Sequence, residues 1–199
     1  MVQAYHLVFC TYGFWLPNDP RGSGSKYVGA ADLRQFGQAT YLPERRRSRA
    51  LKPHDTQLRQ LAKKYLKFSE VKLNGLQARA VGTGFATYVK KAQLQVWACS
   101  ILPDHVHLVI ARHRLTIEKL SQKLKAEASW QLLEEGIHPL SHLRSAEGKL
   151  PTCWGRDEWK VFLNTEAEIQ ARIRYVENNP LKDGKPKQKW SFVTPFDGL

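Results

Sequence analysis

An α+β fold, an antiparallel sheet covered by helices, is what this sequence predicts. Three observations point there. Short β-prone segments alternate with helical ones in the order β, α, α, β, β, α, β, α. Two of the strands are joined only by Leu102-Pro103-Asp104, which calls for an antiparallel hairpin. The helical segments carry apolar residues on one stripe, as helices resting on a sheet do. The 199 residues suffice for one domain with a sizeable core. The whole chain, 1–199, is expected to form that domain, with a basic loop insertion at about 25–53 and a basic tail from about 181.

The first strand is Tyr5 to Thr11, with Leu7, Val8 and Phe9 as its apolar centre. Gly13 to Gly24 is dense in Pro and Gly and predicts a turn followed by a loop. Residues 25–53 show little periodicity. Asp55 to Leu66 predicts a helix with Leu58, Leu61 and Leu66 inward. A second helix is predicted over Gly75 to Gln93, although Gly82 and Gly84 weaken it. Leu94 to Leu102 and His105 to Ile110 are the hairpin strands. Thr116 to Glu135 is a helix that Thr116 caps and Gly136 ends. The segment 138–157 predicts a loop, and Glu158 to Leu163 a short strand. A capping-box start at Thr165-Glu166-Ala167-Glu168 opens the last helix, expected to stop at Asn178 or Asn179 before Pro180. Trp190 to Val193 is either a final strand or a packed arm.

Composition narrows the function. Lys and Arg number 31 against 18 Asp and Glu, a formal net charge of +13, while 42% of residues are hydrophobic. That is a globular chain whose field attracts a polyanion, nucleic acid foremost. The excess concentrates at Arg45, Arg46, Arg47, Arg49, Lys52, Arg59, Lys63, Lys64 and Lys67, and again at Lys182, Lys185, Lys187 and Lys189. No run reaches the length of a membrane span, and the N-terminal residues lack a secretory pattern, so a cytoplasmic protein with no membrane partner is expected. Cys10, Cys99 and Cys153 are too few and too scattered for a disulfide framework or a cysteine metal site.

His105-Val106-His107 carries the chemistry. Residues two apart on a strand share a face, so both imidazoles project together as half of a divalent-metal site. Two histidines on so apolar a strand are costly unless paired or coordinated. On the last helix, Ile169, Ile173 and Val176 form the packing stripe, with Tyr175 and Asn179 one turn apart beside it. A phenol titrates near pH 10, about three units above neutrality, and acts as a nucleophile only beside a cation or a polarised electrophile.

Together these segments, Pro103-Asp104-His105-Val106-His107-Leu108-Val109 and Tyr175-Val176-Glu177-Asn178-Asn179-Pro180-Leu181-Lys182, resemble the single-tyrosine HUH transposases, in particular the REP-associated tyrosine transposases of bacteria. Trp15-Leu16-Pro17-Asn18-Asp19-Pro20-Arg21-Gly22 is similar to N-termini in that family. The resemblance implies a ferredoxin-like fold of the HUH endonuclease type, with His105 and His107 as metal ligands, Asn179 as the third, and Tyr175 as nucleophile. Mg²⁺ or Mn²⁺ is the implied metal, although imidazole ligands alone would also admit zinc. The implied activity is cleavage and rejoining of single-stranded, hairpin-bearing DNA through a 5′-phosphotyrosine link, by a monomer or homodimer.

On that reading Arg45, Arg46, Arg47, Lys63, Lys64, Lys125 and Lys185 are expected on phosphates. Trp15, Trp154 and Trp190 adjoin basic loops, where each either stacks an unpaired base or packs in the core. A His-x-His-x-His nucleotide-processing site is excluded because Val109 occupies the third position. A two-motif H-x-T phosphoesterase lacks its second copy, and a zinc hydrolase lacks a further ligand at motif spacing. The remaining alternative is a domesticated DNA-binding protein that cuts nothing.

Overall fold

Alternation along each strand decides how the sheet is layered, because successive side chains point to opposite faces. The computed structural model describes residues 1–19, 28, 30–37 and 55–199. Its elements are β1 (Ala4–Thr11), a 3-10 turn (Ala31–Phe36), α1 (Thr56–Lys64), α2 (Gly75–Ala92), β2 (Val96–Ile101), β3 (His105–Ala111), α3 (Ile117–Glu134), a second 3-10 turn (Ser141–Leu143), β4 (Trp154–Leu163) and α4 (Glu166–Lys182). The strands lie in the order β2-β3-β1-β4, with every pairing antiparallel. β3 is inserted between β1 and β2, which α2 connects. This split β-α-β topology, with α3 leading to β4 on the far edge, is the ferredoxin-like arrangement that was expected.

One face carries Leu7, Phe9, Cys99, Ile101, Val106, Leu108 and Ile110, packed with Val81, Phe85 and Val89 of α2 and Leu120, Leu124 and Leu132 of α3. The other presents Ala4, Ala98, Val109 and Leu163, on which Ile169 and Val176 of α4 are buried. Each of those α4 side chains contributes about 1.5–3 kcal/mol by leaving water, so α4 is held by its apolar stripe. Its start is set by Thr165, whose hydroxyl accepts from the Glu168 amide, and α2 opens with a full capping box between Asn74 and Gln77. No helix among the described residues is long and apolar enough to cross a membrane.

The two glycines that weaken α2 as a sequence have packing reasons. A Cβ on Gly84 would lie 2.7 Å from the Glu127 carbonyl oxygen, so the residue is bare where α2 and α3 touch. A Cβ on Gly82 would lie 2.1 Å from the Trp190 ring. Residues 190–193 therefore form an arm, not a strand: Trp190 lies on α2, Phe192 enters the core, and the Thr194 amide bonds the Val96 carbonyl. Just before it, the Gln188 side chain accepts from the Ile101 amide at 2.7 Å and donates to its carbonyl at 2.8 Å. One amide side chain thus occupies the ladder position that a neighbouring strand would take on the open β2 edge.

Four expectations change. β4 begins at Trp154, not Glu158, because Trp154 pairs with Thr11 after a register shift in β1. α4 runs through Pro180 to Lys182. Pro180 has no N–H to give the Val176 carbonyl, a loss confined to the last turn, and the Pro180 carbonyl closes the terminus by accepting from Asp183 and Lys185. In α1, Ala62 is buried while Leu61 faces solvent. Part of the segment expected as loop, Ala31–Phe36, is a 3-10 turn that buries Leu33 and Phe36 against Leu16 and Ala62.

Gly82→Val is expected to expel Trp190 and release the tail, at a cost of about 1–3 kcal/mol. Thermal unfolding would show the midpoint lowered by roughly 2–4 °C per kcal/mol, with tryptophan emission shifted to the red before global unfolding. Gly75→Ala, which meets nothing within 4 Å, serves as the neutral control.

Candidate active site

β3 sets the site. Its residues His105, His107, Val109 and Ala111 pair across β1 with Cys10, Val8, His6 and Ala4, all on the face that α4 covers. His105 and His107 are therefore side by side, with ring centroids 4.8 Å apart. α4 brings Tyr175 over them, its ring centroid 5.7 Å from that of His107. Tyr175 is 39% exposed while His107 is 6% exposed, so the phenol stands at the mouth of a buried imidazole site. These residues are far apart in sequence, and the fold assembles them within one chain.

Asn179 is one turn beyond Tyr175 and buried, whereas Asn178 is exposed. Its amide nitrogen has no hydrogen-bond partner, and neither does the buried Ser100 hydroxyl, which sits directly opposite His107 on β2. Unpaired polar groups gathered on one sheet face are unusual in a packed interior and mark a place where chemistry outweighs packing.

The strand environment adds a residue that sequence reasoning passed over. His6, on β1, is diagonal to His107, and its Nε2 lies 3.0 Å from His107 Nδ1 in a buried hydrogen bond. The other ring is anchored in the same way: His105 Nδ1 is 2.7 Å from Asp104 Oδ1. Both histidines of the motif thus commit Nδ1 to a supporting group. In the sequence His6 is only a histidine on a strand rich in Leu, Val and Phe, with nothing to mark its partner until β3 lies beside it. Phe14 covers the outer side of His105, with ring centroids 5.3 Å apart.

Burial and nearby cations keep His6 and His107 neutral. Burial, then the Arg172 charge, lowers His6 to about 3. His107 is held well below the usual imidazole range by burial first, then by His6, His105, Lys182 and Arg172. The same two cations flank the tyrosine: Lys182 Nζ is 4.1 Å from its ring centre and the Arg172 guanidinium carbon 5.6 Å. Lys182 closes the tyrosine segment of the sequence with no role assigned to it there, and Arg172 is not singled out. Lys182 reaches Tyr175 because the helix continues past Pro180, which puts positions 175 and 182 on one face.

An imidazole binds a divalent metal through a ring nitrogen whose lone pair is free. Among the described residues, no three His, Cys, Asp or Glu side chains converge into a cage. Two imidazoles and a buried amide with an unsatisfied group form an open donor set instead. Such a set fits an ion that completes its shell with oxygens of substrate and water.

The basic residues divide. Lys64 and Lys185 are exposed. Lys63 donates to Glu70 at 2.7 Å and is partly committed to it. The expectation that Lys125 reaches DNA is corrected: its ammonium is buried, donates to the Gly155 carbonyl at 3.1 Å, lies 3.7 Å from Glu158 and rests over Phe9. It ties α3 to β4. Trp154 is likewise a core residue, its indole donating to Ser129 Oγ and the Lys125 carbonyl. Arg45, Arg46 and Arg47 lie outside the described residues.

No family model and no curated protein matches this chain. Among solved structures it is similar to a REP-associated tyrosine transposase bound to a REP hairpin, at 10% identity and a TM-score of 0.48, covering 92% of this chain and 68% of that one. It is also similar to a candidate transposase from Deinococcus radiodurans R1, at 13% identity and a TM-score of 0.43, covering 89% of this chain and 91% of the other. Likeness at this level leaves function to be argued from the residues of this chain.

The depressed His6 fixes a pH response. An unfolded histidine takes up its proton near 6.5, whereas the folded one stays neutral to about 3. Between those values the unfolded chain binds more protons, so stability falls as pH falls, by up to about 1.4 kcal/mol per pH unit for this group. Urea unfolding without added metal should show that decline starting below pH 6.5, and His6→Leu should make it shallower.

Proposed function

We propose that this protein is a transposase-like, metal-dependent tyrosine transesterase that cleaves and rejoins single-stranded, hairpin-bearing DNA. The observation that carries the proposal is the meeting of Tyr175 with His105 and His107 on one sheet face, ring centroids of Tyr175 and His107 5.7 Å apart, in a chain of net charge +13. Asn179, one turn on, supplies an amide at the same face.

His105, His107 and the Asn179 amide oxygen would hold Mg²⁺ or Mn²⁺. When bound, that ion neutralises charge developing on the scissile phosphate and orients it for in-line displacement. The chain's own residues do the rest. The Tyr175 hydroxyl gives its proton to solvent and its oxygen attacks phosphorus. The bond to the 3′ oxygen breaks, and that oxygen takes a proton from solvent as a free 3′-hydroxyl. The 5′ side stays esterified to the tyrosine.

The phosphodiester bond is exchanged, not lost, so a 3′-hydroxyl can reverse the step and rejoin DNA without a nucleotide cofactor. Arg172 and Lys182, on either side of the phenol, attract the incoming phosphate and oppose its charge. The partly exposed Tyr175 ring leaves room for a strand to reach the hydroxyl, while His107 behind it is buried. Exposed Lys64 and Lys185, together with Arg45, Arg46 and Arg47, contribute the sequence-independent hold on the backbone.

Incubating the protein with labelled single-stranded DNA carrying imperfect hairpins, with Mg²⁺ or Mn²⁺, should give a covalent adduct on a denaturing gel. Tyr175→Phe and His107→Ala should each reduce it to background while DNA binding persists. Binding should weaken steeply with salt, with log affinity falling at about 0.7 per neutralised phosphate for a single strand. Salt-sensitive binding with no adduct across a broad hairpin library would replace this proposal with a non-cleaving DNA-binding protein.

A further inference from the structure

The contact between His6 and His107 has a defined geometry. The two ring planes are 13° apart with centroids separated by 5.1 Å, yet their nearest nitrogens are only 3.0 Å apart. Parallel rings in face-to-face contact need about 3.5 Å between atoms. Nearly parallel rings at this nitrogen separation therefore lie edge to edge in a common plane, each nitrogen directed at the other. That is the geometry of a hydrogen bond, and one proton serves it.

Two arrangements satisfy the bond. If His6 Nε2–H donates, His107 Nδ1 accepts and a neutral His107 carries its own proton on Nε2. Neither nitrogen of His107 can then bind a metal. If His107 Nδ1–H donates to His6 Nε2, the His107 Nε2 lone pair is free, and His6 carries its proton on Nδ1, the buried atom with no partner. His105 is arranged like the second case, its Nδ1 donating to the Asp104 carboxylate. A ligating histidine is normally supported through its second nitrogen by a carboxylate or a carbonyl. At His107 that support comes from another histidine.

We infer that His6 is a positioning residue that accepts the Nδ1 proton of His107 and so directs the Nε2 lone pair of His107 toward a divalent metal, an inference that rests on the metal site of the proposed function. The role needs an acceptor at position 6, not an imidazole as such. Glutamine offers an amide oxygen in that place and leucine offers none, so the two substitutions separate acceptance from packing.

The test is Mn²⁺ affinity of the full chain without DNA, measured by calorimetry and by the paramagnetic resonance signal of free Mn²⁺. The parent, His6→Leu, His6→Gln and His107→Ala are compared, with circular dichroism to confirm folding. His6→Leu should weaken Mn²⁺ binding about 10- to 100-fold, and His6→Gln should recover most of that loss. On the parent protein with Mg²⁺, nitrogen-15 spectra of the imidazoles should place the His107 proton on Nδ1, a readout that needs no variant to fold. Should His6→Leu bind Mn²⁺ as tightly as the parent while His107→Ala does not, or should the Mg²⁺-bound His107 carry its proton on Nε2, the role of His6 is overturned and the metal site stands. If the parent binds no Mn²⁺, or His107→Ala binds it as well as the parent, the metal site itself is refuted and the role of His6 with it.

Discussion

The register of β1 against β3 is the constraint on which the rest of this molecule depends. Side chains alternate along a strand, so a slip by one residue would turn every histidine of the pair into the α2–α3 layer. It would bring Val106, Leu108 and Ile110 out under α4. What prevents the slip is burial: Leu7, Phe9, Val106, Leu108 and Ile110 are all fully buried on the α2–α3 face. The apolar residues of one face thus dictate which polar residues occupy the other. His6, His105 and His107 owe their meeting to hydrophobic packing on the opposite side of the sheet.

That second face is more polar than packing alone would favour. His6 Nδ1, Ser100 Oγ and Asn179 Nδ2 are buried without partners, and a buried polar group left unpaired costs about 1–3 kcal/mol. Neighbouring positions on the same face, Ala4, Ala98 and Val109, are apolar and well packed. His6 on β1 and Ser100 on β2 lie on either side of His107, and Asn179 is one turn beyond Tyr175 on α4. A fold keeps such a cost where the groups have work that internal hydrogen bonds would block, which agrees with a binding site for an ion and a phosphate.

Strand and helix periodicity made most of this architecture legible in the sequence, since His105-Val106-His107 could only put both rings on one face and the Ile169, Ile173 and Val176 stripe could only put Tyr175 at its edge. The sequence was silent where tertiary contacts decide. His6 is an unremarkable strand residue until β3 lies beside it. Lys125 looks like any helix lysine, and only the closing of β4 over α3 shows that its charge is held inside. Gly82 and Gly84 argue against a helix until Trp190 and α3 are seen to need the space. Lys182 joined the site because α4 tolerates Pro180 in its last turn, against the local rule that a helix ends before proline.

α4 joins the apolar packing to the candidate site. Its inner face anchors it through Ile169 and Val176, and its edge carries Arg172, Tyr175, Asn179 and Lys182 at spacings that return to the same side of the helix. Because anchor and active groups share one rigid element, the position of the phenol relative to His107 is set by sheet packing and not by a loop. The proposed transesterification, which must hold a strand end and then reverse, would gain from such rigidity, since effective concentration depends on how well the reacting groups are held. Had the helix stopped at Asn179, Tyr175 would still stand over the histidines, but without the cation whose Nζ lies 4.1 Å from its ring. The continuation through Pro180 to Lys182 is what brings that ammonium to the Tyr175 ring.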